Sequence, residues 1–267
     1  MRKVLVCLLA TSSVSVFATD NSAFQAFDDQ YNLGYGMSQT TVTGAAGTPN
    51  AEVTNQFINL DVERLFDAGV WMDVQANMVT NSTTNQSQGV GSGASAISGG
   101  QTPLNQGFNL GGLNAKVGYA FTLADQHLQI TPYALGGRNT NLSYSTMIAN
   151  GQQNLTNDYF WTAGIGGRIE YRINGAILVY ADQNGVYNWD QSGPNNGIEP
   201  QNNIAYTSTL GAKFNIVKNL QLGVNGFYTG YSSQATIPTL TTGVGSSSQV
   251  YYPQSTFGGL VTVGLTY

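Results

Sequence analysis

The chain has 267 residues, of which 41% are hydrophobic and only 9% are charged, and its net charge is −5. About a quarter of a soluble domain's residues are normally charged, so this composition suits a surface that meets lipid rather than water. The acidic balance, with no basic patch to neutralise phosphates, excludes nucleic-acid binding, and no stretch after the N-terminal leader approaches the ~18 consecutive apolar residues of a transmembrane helix.

In chain order, the first feature is a secretory signal peptide over residues 1–18. Arg2 and Lys3 give the positive start, residues 4–10 give the apolar run, and Val16 and Ala18 occupy the −3 and −1 positions of a small-residue cleavage site. The only cysteine, Cys7, lies inside this segment. The mature chain then has no thiol, which excludes disulfides, cysteine metal sites and cysteine nucleophiles. Residues 19–29 are expected as a short periplasmic N-terminal segment.

From residue 30 onwards alternation of apolar and polar residues dominates, the signature of strands with two different faces. Tyr31, Leu33, Tyr35 and Met37 alternate with Asn32, Gly34, Gly36 and Ser38 in 30–41. Ile58, Leu60 and Val62 follow in 55–66, then Met72, Val74, Ala76 and Met78 in 70–80. Stretch 107–121 carries Leu113, Ala115, Val117, Tyr119 and Phe121 on one parity, and 128–138 places Leu128, Ile130, Pro132 and Ala134 outward. Stretch 158–172 sets Trp161, Ala163, Ile165, Ile169 and Tyr171 against Thr162, Arg168, Glu170 and Arg172. Stretch 176–187 is apolar on both parities and its facing stays open. Stretches 204–216, 220–231 and 256–267 complete a set of about ten strands, each near the ~9–11 residues a tilted membrane strand needs.

The connections alternate strictly. Short ones fall at Asp67 to Gly69, at 122–127, at Asn174 and Gly175, and at Val217 to Asn219; long ones fall at about 42–54, 81–106, 139–157, 188–203 and 232–255. Asn-Gly is expected to close its hairpin through positive φ at both residues. Short turns at one end and long polar loops at the other are the pattern of an all-β, up-and-down antiparallel transmembrane barrel, here over 30–267, with short periplasmic turns and long extracellular loops. Such low-complexity loops, rich in Asn, Gln, Ser, Thr and Gly, bury little.

The last ten residues, GGLVTVGLTY, resemble the C-terminal assembly signal of Gram-negative outer-membrane proteins: Val261, Val263 and Leu265 alternate before a terminal aromatic, Tyr267. The stretch LQITPYALGG at 128–137 is similar to a strand of small opacity-type and porin-like surface barrels. The resemblance implies the cell outer membrane as location, insertion by the barrel assembly machinery, and lipid and lipopolysaccharide as surroundings. It implies no cofactor and no metal. The functions it leaves open are a narrow porin-like or structural surface barrel and an adhesin whose loops contact a host surface ligand.

Enzymatic barrels are the third class. Omptin-like proteases are similar in strand count and length, but they need a histidine at the extracellular rim, and outer-membrane phospholipases and lipid A deacylases need a His paired with a Ser. The only histidine here, His127, falls beside the 122–127 turn at the opposite end, which argues against general acid–base catalysis. The GIGG run at 164–167 has no helix after it and is not read as a phosphate loop, and the Asn-x-Ser/Thr triplets at Asn81, Asn141 and Asn154 carry no weight in a bacterial chain.

One constellation remains. Asp61, Glu63, Asp73, Lys116, Arg168, Glu170, Arg172 and Lys213 share the inward parity near the short turns and are expected to form a mixed-sign layer in the periplasmic half of the lumen. Glu63 and Asp73 are expected side by side across neighbouring strands, with Lys116 as the cation that makes this tolerable. Such a layer is either an ion-paired plug or a selectivity filter, and ten strands lie near the narrow, filled end of barrel sizes.

Overall fold

In a computed structural model the chain is described at residues 21–44, 51–86, 102–104, 109–123, 126–141, 145–147, 158–190, 203–232 and 248–266. The expected signal peptide and Tyr267 lie outside the described residues. Ten long strands form one antiparallel sheet: β1 (Gln30–Gly44), β2 (Ala51–Leu65), β3 (Val70–Gln86), β4 (Asn109–Tyr119), β5 (Leu128–Asn141), β6 (Asp158–Arg172), β7 (Ile177–Asp190), β8 (Asn203–Val217), β9 (Leu220–Tyr231) and β10 (Ser248–Thr266). Each pairs with its neighbour in sequence, and β10 returns to β1 from Gln30↔Thr266 onward. The sheet therefore closes on itself and leaves no long edge to template aggregation. Three short strands pair at its margins: Thr102–Leu104 on β3, Phe121–Leu123 on β5 and Ser145–Met147 on β10.

Alternation builds the two faces. Along β6, Ile165, Ile169 and Tyr171 are 74%, 51% and 50% exposed, whereas Thr162, Arg168 and Glu170 are buried. Tyr31, Tyr35, Trp161, Tyr206, Tyr228 and Phe257 also point outward, as do Val261, Val263 and Leu265 of β10. A closed barrel with an apolar outer face is one of the two ways a backbone can cross a bilayer with all its polar groups satisfied. The strands run 11 to 19 residues, and all but the 11-residue β4 are longer than a lipid span requires. The ladder of backbone hydrogen bonds does not need to stop where lipid stops, so the expected long loops are shorter: β1 and β2, for example, extend to Gly44 and back from Ala51.

The short turns at Asp67 to Gly69, Asn174 and Gly175, and Val217 to Asn219 fall where expected, but not always in the expected conformation; in the 122–127 turn residues 122 and 123 belong to a strand, and 124 and 125 lie outside the described residues. Gly69 takes φ +83° in the turn after β2, and Phe66 and Val70 exchange across it through Phe66 N–H to Val70 O at 2.8 Å. Asn174 and Gly175 do join β6 to β7, yet neither has positive φ. The hairpin is closed by the Ile173 N–H donating to the Ile177 carbonyl at 3.0 Å, and the Asn174 Oδ1 accepts the Ala176 N–H at 2.8 Å within the turn. Ala120 breaks β4 from Phe121–Leu123, where one continuous strand was expected.

Residues 22–28 fold into a helix, α1 (Ser22–Asp28). Seven residues are far too few for a stable isolated helix, so docking must hold it. Phe24 and Phe27, one turn apart, are fully buried against Leu65, Trp71, Ala120, Tyr133 and Leu178. This cluster is the apolar core of the molecule, and it sits inside the barrel at the short-turn end. It also explains β7. Leu178 points inward beneath the helix and Val179 outward to lipid, so both parities are apolar for different reasons. Asp29 ties the helix to the wall: its Oδ1 accepts the Leu65 N–H at 2.8 Å. Partial burial raises the Asp29 carboxyl above its ordinary range, opposed by that N–H and by Arg64.

Candidate functional site: the floor of the lumen

The inward residues of the short-turn half meet in one network, and Glu63 is its hub. Glu63 Oε1 accepts from Trp71 Nε1 at 2.9 Å and from Arg168 at 2.8 Å. Glu63 Oε2 accepts from Gln30 Nε2 at 2.8 Å and from Lys213 Nζ at 2.7 Å. Lys213 also donates to Asp28 Oδ1 at 2.8 Å and to the Phe27 carbonyl at 3.0 Å, which fastens the end of α1 to the barrel wall. Arg168 reaches Glu170 at 2.7 Å and lies 4.4 Å over the Tyr180 ring, an arrangement that adds a cation–π term.

Glu63 and Asp73 are cross-strand partners, and Asp73 is in turn opposite Lys116. Lys116 nonetheless does not bridge the pair. It sits 3.1 Å from Asp73 and 3.5 Å from Asp182, while Arg168 and Lys213 neutralise Glu63. Asp61, one inward position up β2, receives Asn32 Nδ2 at 2.8 Å. Arg172 is not in the network: its Nε donates to the Gln126 carbonyl at 3.0 Å and holds the turn before β5. His127 is bound to the same corner, with Nδ1 2.8 Å from the Arg172 carbonyl oxygen.

Sequence parity alone did not reveal three members. Asp182 is buried opposite Arg168 and accepts the Tyr133 hydroxyl, but it lies on the stretch whose facing was open. Asp28 belongs to the helix. Trp71 stands at inward parity, and its position just after a short turn, within reach of Glu63, was the available signal.

Above this floor the lumen opens into a cavity of about 460 Å³. Asparagine and threonine dominate its wall, among them Asn59, Asn77, Asn114, Thr207 and Thr229. Many of these side chains pair with each other across strands, as Asn59 with Asn77 at 2.9 Å and Thr207 with Thr229 at 2.9 Å. The arrangement is a polar, uncharged well standing on a charged base against which α1 is docked.

A closed ten-stranded antiparallel barrel with an apolar, aromatic-rich exterior and a polar interior is an outer-membrane-type β-barrel. No protein-family model matches the chain, and no curated protein matches it. Solved structures similar to it include an outer-membrane channel from Pseudomonas putida F1, at 11% identity and TM-score 0.44, covering 89% of this chain and 96% of that one. The outer membrane protease OmpT from Escherichia coli is similar at 10% identity and TM-score 0.42, with 89% and 96% covered. The attachment invasion locus protein Ail of Yersinia pestis is similar at 9% identity and TM-score 0.34, with 89% and 98% covered.

Proposed function

We propose that this protein is a surface barrel of the Gram-negative outer membrane, exported with its signal peptide removed, whose lumen is closed toward the periplasm and does not conduct solutes. The observation that carries the reading is the floor itself. Helix α1 fills the short-turn mouth with Phe24 and Phe27, and the Glu63, Arg168 and Lys213 network spans the barrel directly above it. A selectivity filter needs charged side chains ranged around an opening; here they line the bottom of the cavity, with Arg168 and Lys213 both bonded to the central Glu63. Ten strands supply little room for a channel beside so many large side chains. The barrel in this reading is a rigid scaffold that holds its long connections at the cell surface. A non-enzymatic role fits the same picture, because His127 is spent on a backbone carbonyl at the periplasmic corner, far along the strands from the well.

Liposome swelling tests the reading. Vesicles containing refolded intact protein should swell in small neutral sugars no faster than protein-free vesicles. Swelling graded by sugar size would instead establish the porin-like alternative.

A further inference from the structure

The charges of the floor do not balance. The carboxylates of Asp28, Asp61, Glu63, Asp73, Glu170 and Asp182 meet the cations Lys116, Arg168 and Lys213 and, among the described residues, no other. The deficit is uneven. Arg168 and Lys213 serve the lower group around Glu63, whereas Lys116 alone serves Asp73 and Asp182 and leaves Asp61 with a single amide donor. Removing carboxylates from water without full compensation is strongly unfavourable.

Six carboxylate oxygens of the floor accept no hydrogen bond: Asp28 Oδ2, both of Glu170, Asp182 Oδ2, and one each on Asp61 and Asp73, the pair that the lone Lys116 leaves least compensated. Asp73 is 1% exposed, and its Oδ1 accepts no hydrogen bond. The Oδ1 of Asp61 is likewise buried and accepts none, and the Asp61 and Asp73 carboxyls lie within hydrogen-bond reach of each other, a contact that needs either a shared proton or a cation between them. The two residues are diagonal neighbours on β2 and β3, since Asp61 pairs with Gln75 and Asp73 with Glu63. Both line the cavity, and the next inward pair up the ladder, Asn59 and Asn77, adds neutral amides to the same wall. Two adjacent carboxylates with orphan oxygens, on a wall with no sulfur or imidazole, make a donor set for a hard cation that accepts flexible geometry.

We propose that Asp61 and Asp73 form the anionic core of a calcium-class divalent-cation site on the floor of the lumen, reached through the polar well. The site rests on the charge deficit and not on whether the floor conducts, so its failure would leave the closed-barrel reading standing.

Terbium luminescence in the intact protein, refolded in lipopolysaccharide-free detergent micelles, tests the proposal. The Trp71 ring lies 6.0 Å from Lys116 Nζ, which itself bonds Asp73, so indole excitation should sensitise a bound ion. Saturable luminescence at neutral pH, displaced by calcium with a Kd of about 10⁻⁴–10⁻³ M, is expected for an extracellular-grade oxygen site. Asp61→Asn should weaken calcium by about tenfold or more through loss of one ligand charge, while it keeps the heat-dependent gel shift of a folded barrel. Wild-type unfolding in calcium against chelator gives a second readout that needs no variant, with a higher urea midpoint expected in calcium. Background luminescence in the wild type, the result for a carboxyl pair bridged by a proton, would overturn the site. Calcium affinity unchanged in Asp61→Asn would overturn it equally.

Discussion

Arg168→Met should destabilise the refolded barrel by about 3–5 kcal/mol, the cost of stranding a buried charge. Arg168 is 5% exposed, donates to Glu63 at 2.8 Å and stands in an ion pair with Glu170 at 2.7 Å. Glu63 keeps Lys213, Gln30 and Trp71 when the guanidinium is gone, but Glu170 loses the one cation bonded to it. The loss should therefore come mainly from Glu170. Adding Glu170→Gln to Arg168→Met should recover part of the stability, because the stranded charge is then absent. Urea unfolding in detergent micelles, arranged as a double-mutant cycle, reads the coupling. Strictly additive effects would show that the two side chains do not interact in solution.

The second large effect is expected at the helix. Phe27→Ala removes a fully buried ring from the cluster with Leu65, Trp71 and Leu178, and phenylalanine truncations of this kind cost about 3–5 kcal/mol. That estimate applies to the docking of α1 more than to the barrel ladder, whose closure from β1 to β10 does not use the ring. The expected result is accordingly local. Limited proteolysis should cut the variant within residues 22–28 while the strands stay protected and the heat-dependent gel shift persists. Equal resistance of variant and wild type would mean that the helix is not held by Phe27.

The barrel was legible because each of its strands meets two solvents. Lipid outside and water or polar side chains inside force the period of two, and the sorting of short and long connections then sets the even strand number. Legibility ended where a third environment intervenes. On β7, Leu178 is inward and apolar because α1 covers it, and seven residues of helix leave no periodicity long enough to announce that cover. Asp182 went unrecognised with it, since its parity follows from that of Leu178. Parity near the turns gave Glu63, Asp73, Lys116, Arg168, Glu170 and Lys213, but not which of them pair. Lys213 reaches Glu63 across 150 residues of sequence, and that choice depends on barrel curvature and side-chain length rather than on spacing. Arg172 shows the same limit from the other side: its parity is inward, yet its Nε donates to the Gln126 carbonyl at the turn and not to the network. The Asn174 and Gly175 turn was placed correctly for a reason that does not apply, because neither residue is left-handed and the asparagine side chain supports the turn through the Ala176 N–H.

Planar-bilayer recording of the intact, refolded protein addresses the closed floor most directly. With α1 seated on the Glu63 network, the current at steady voltage should stay at the lipid baseline after insertion has been verified by the gel shift of the recovered protein. Discrete, ohmic, long-lived steps of uniform size from the intact chain would contradict the closed barrel and make the charged layer a conduction path.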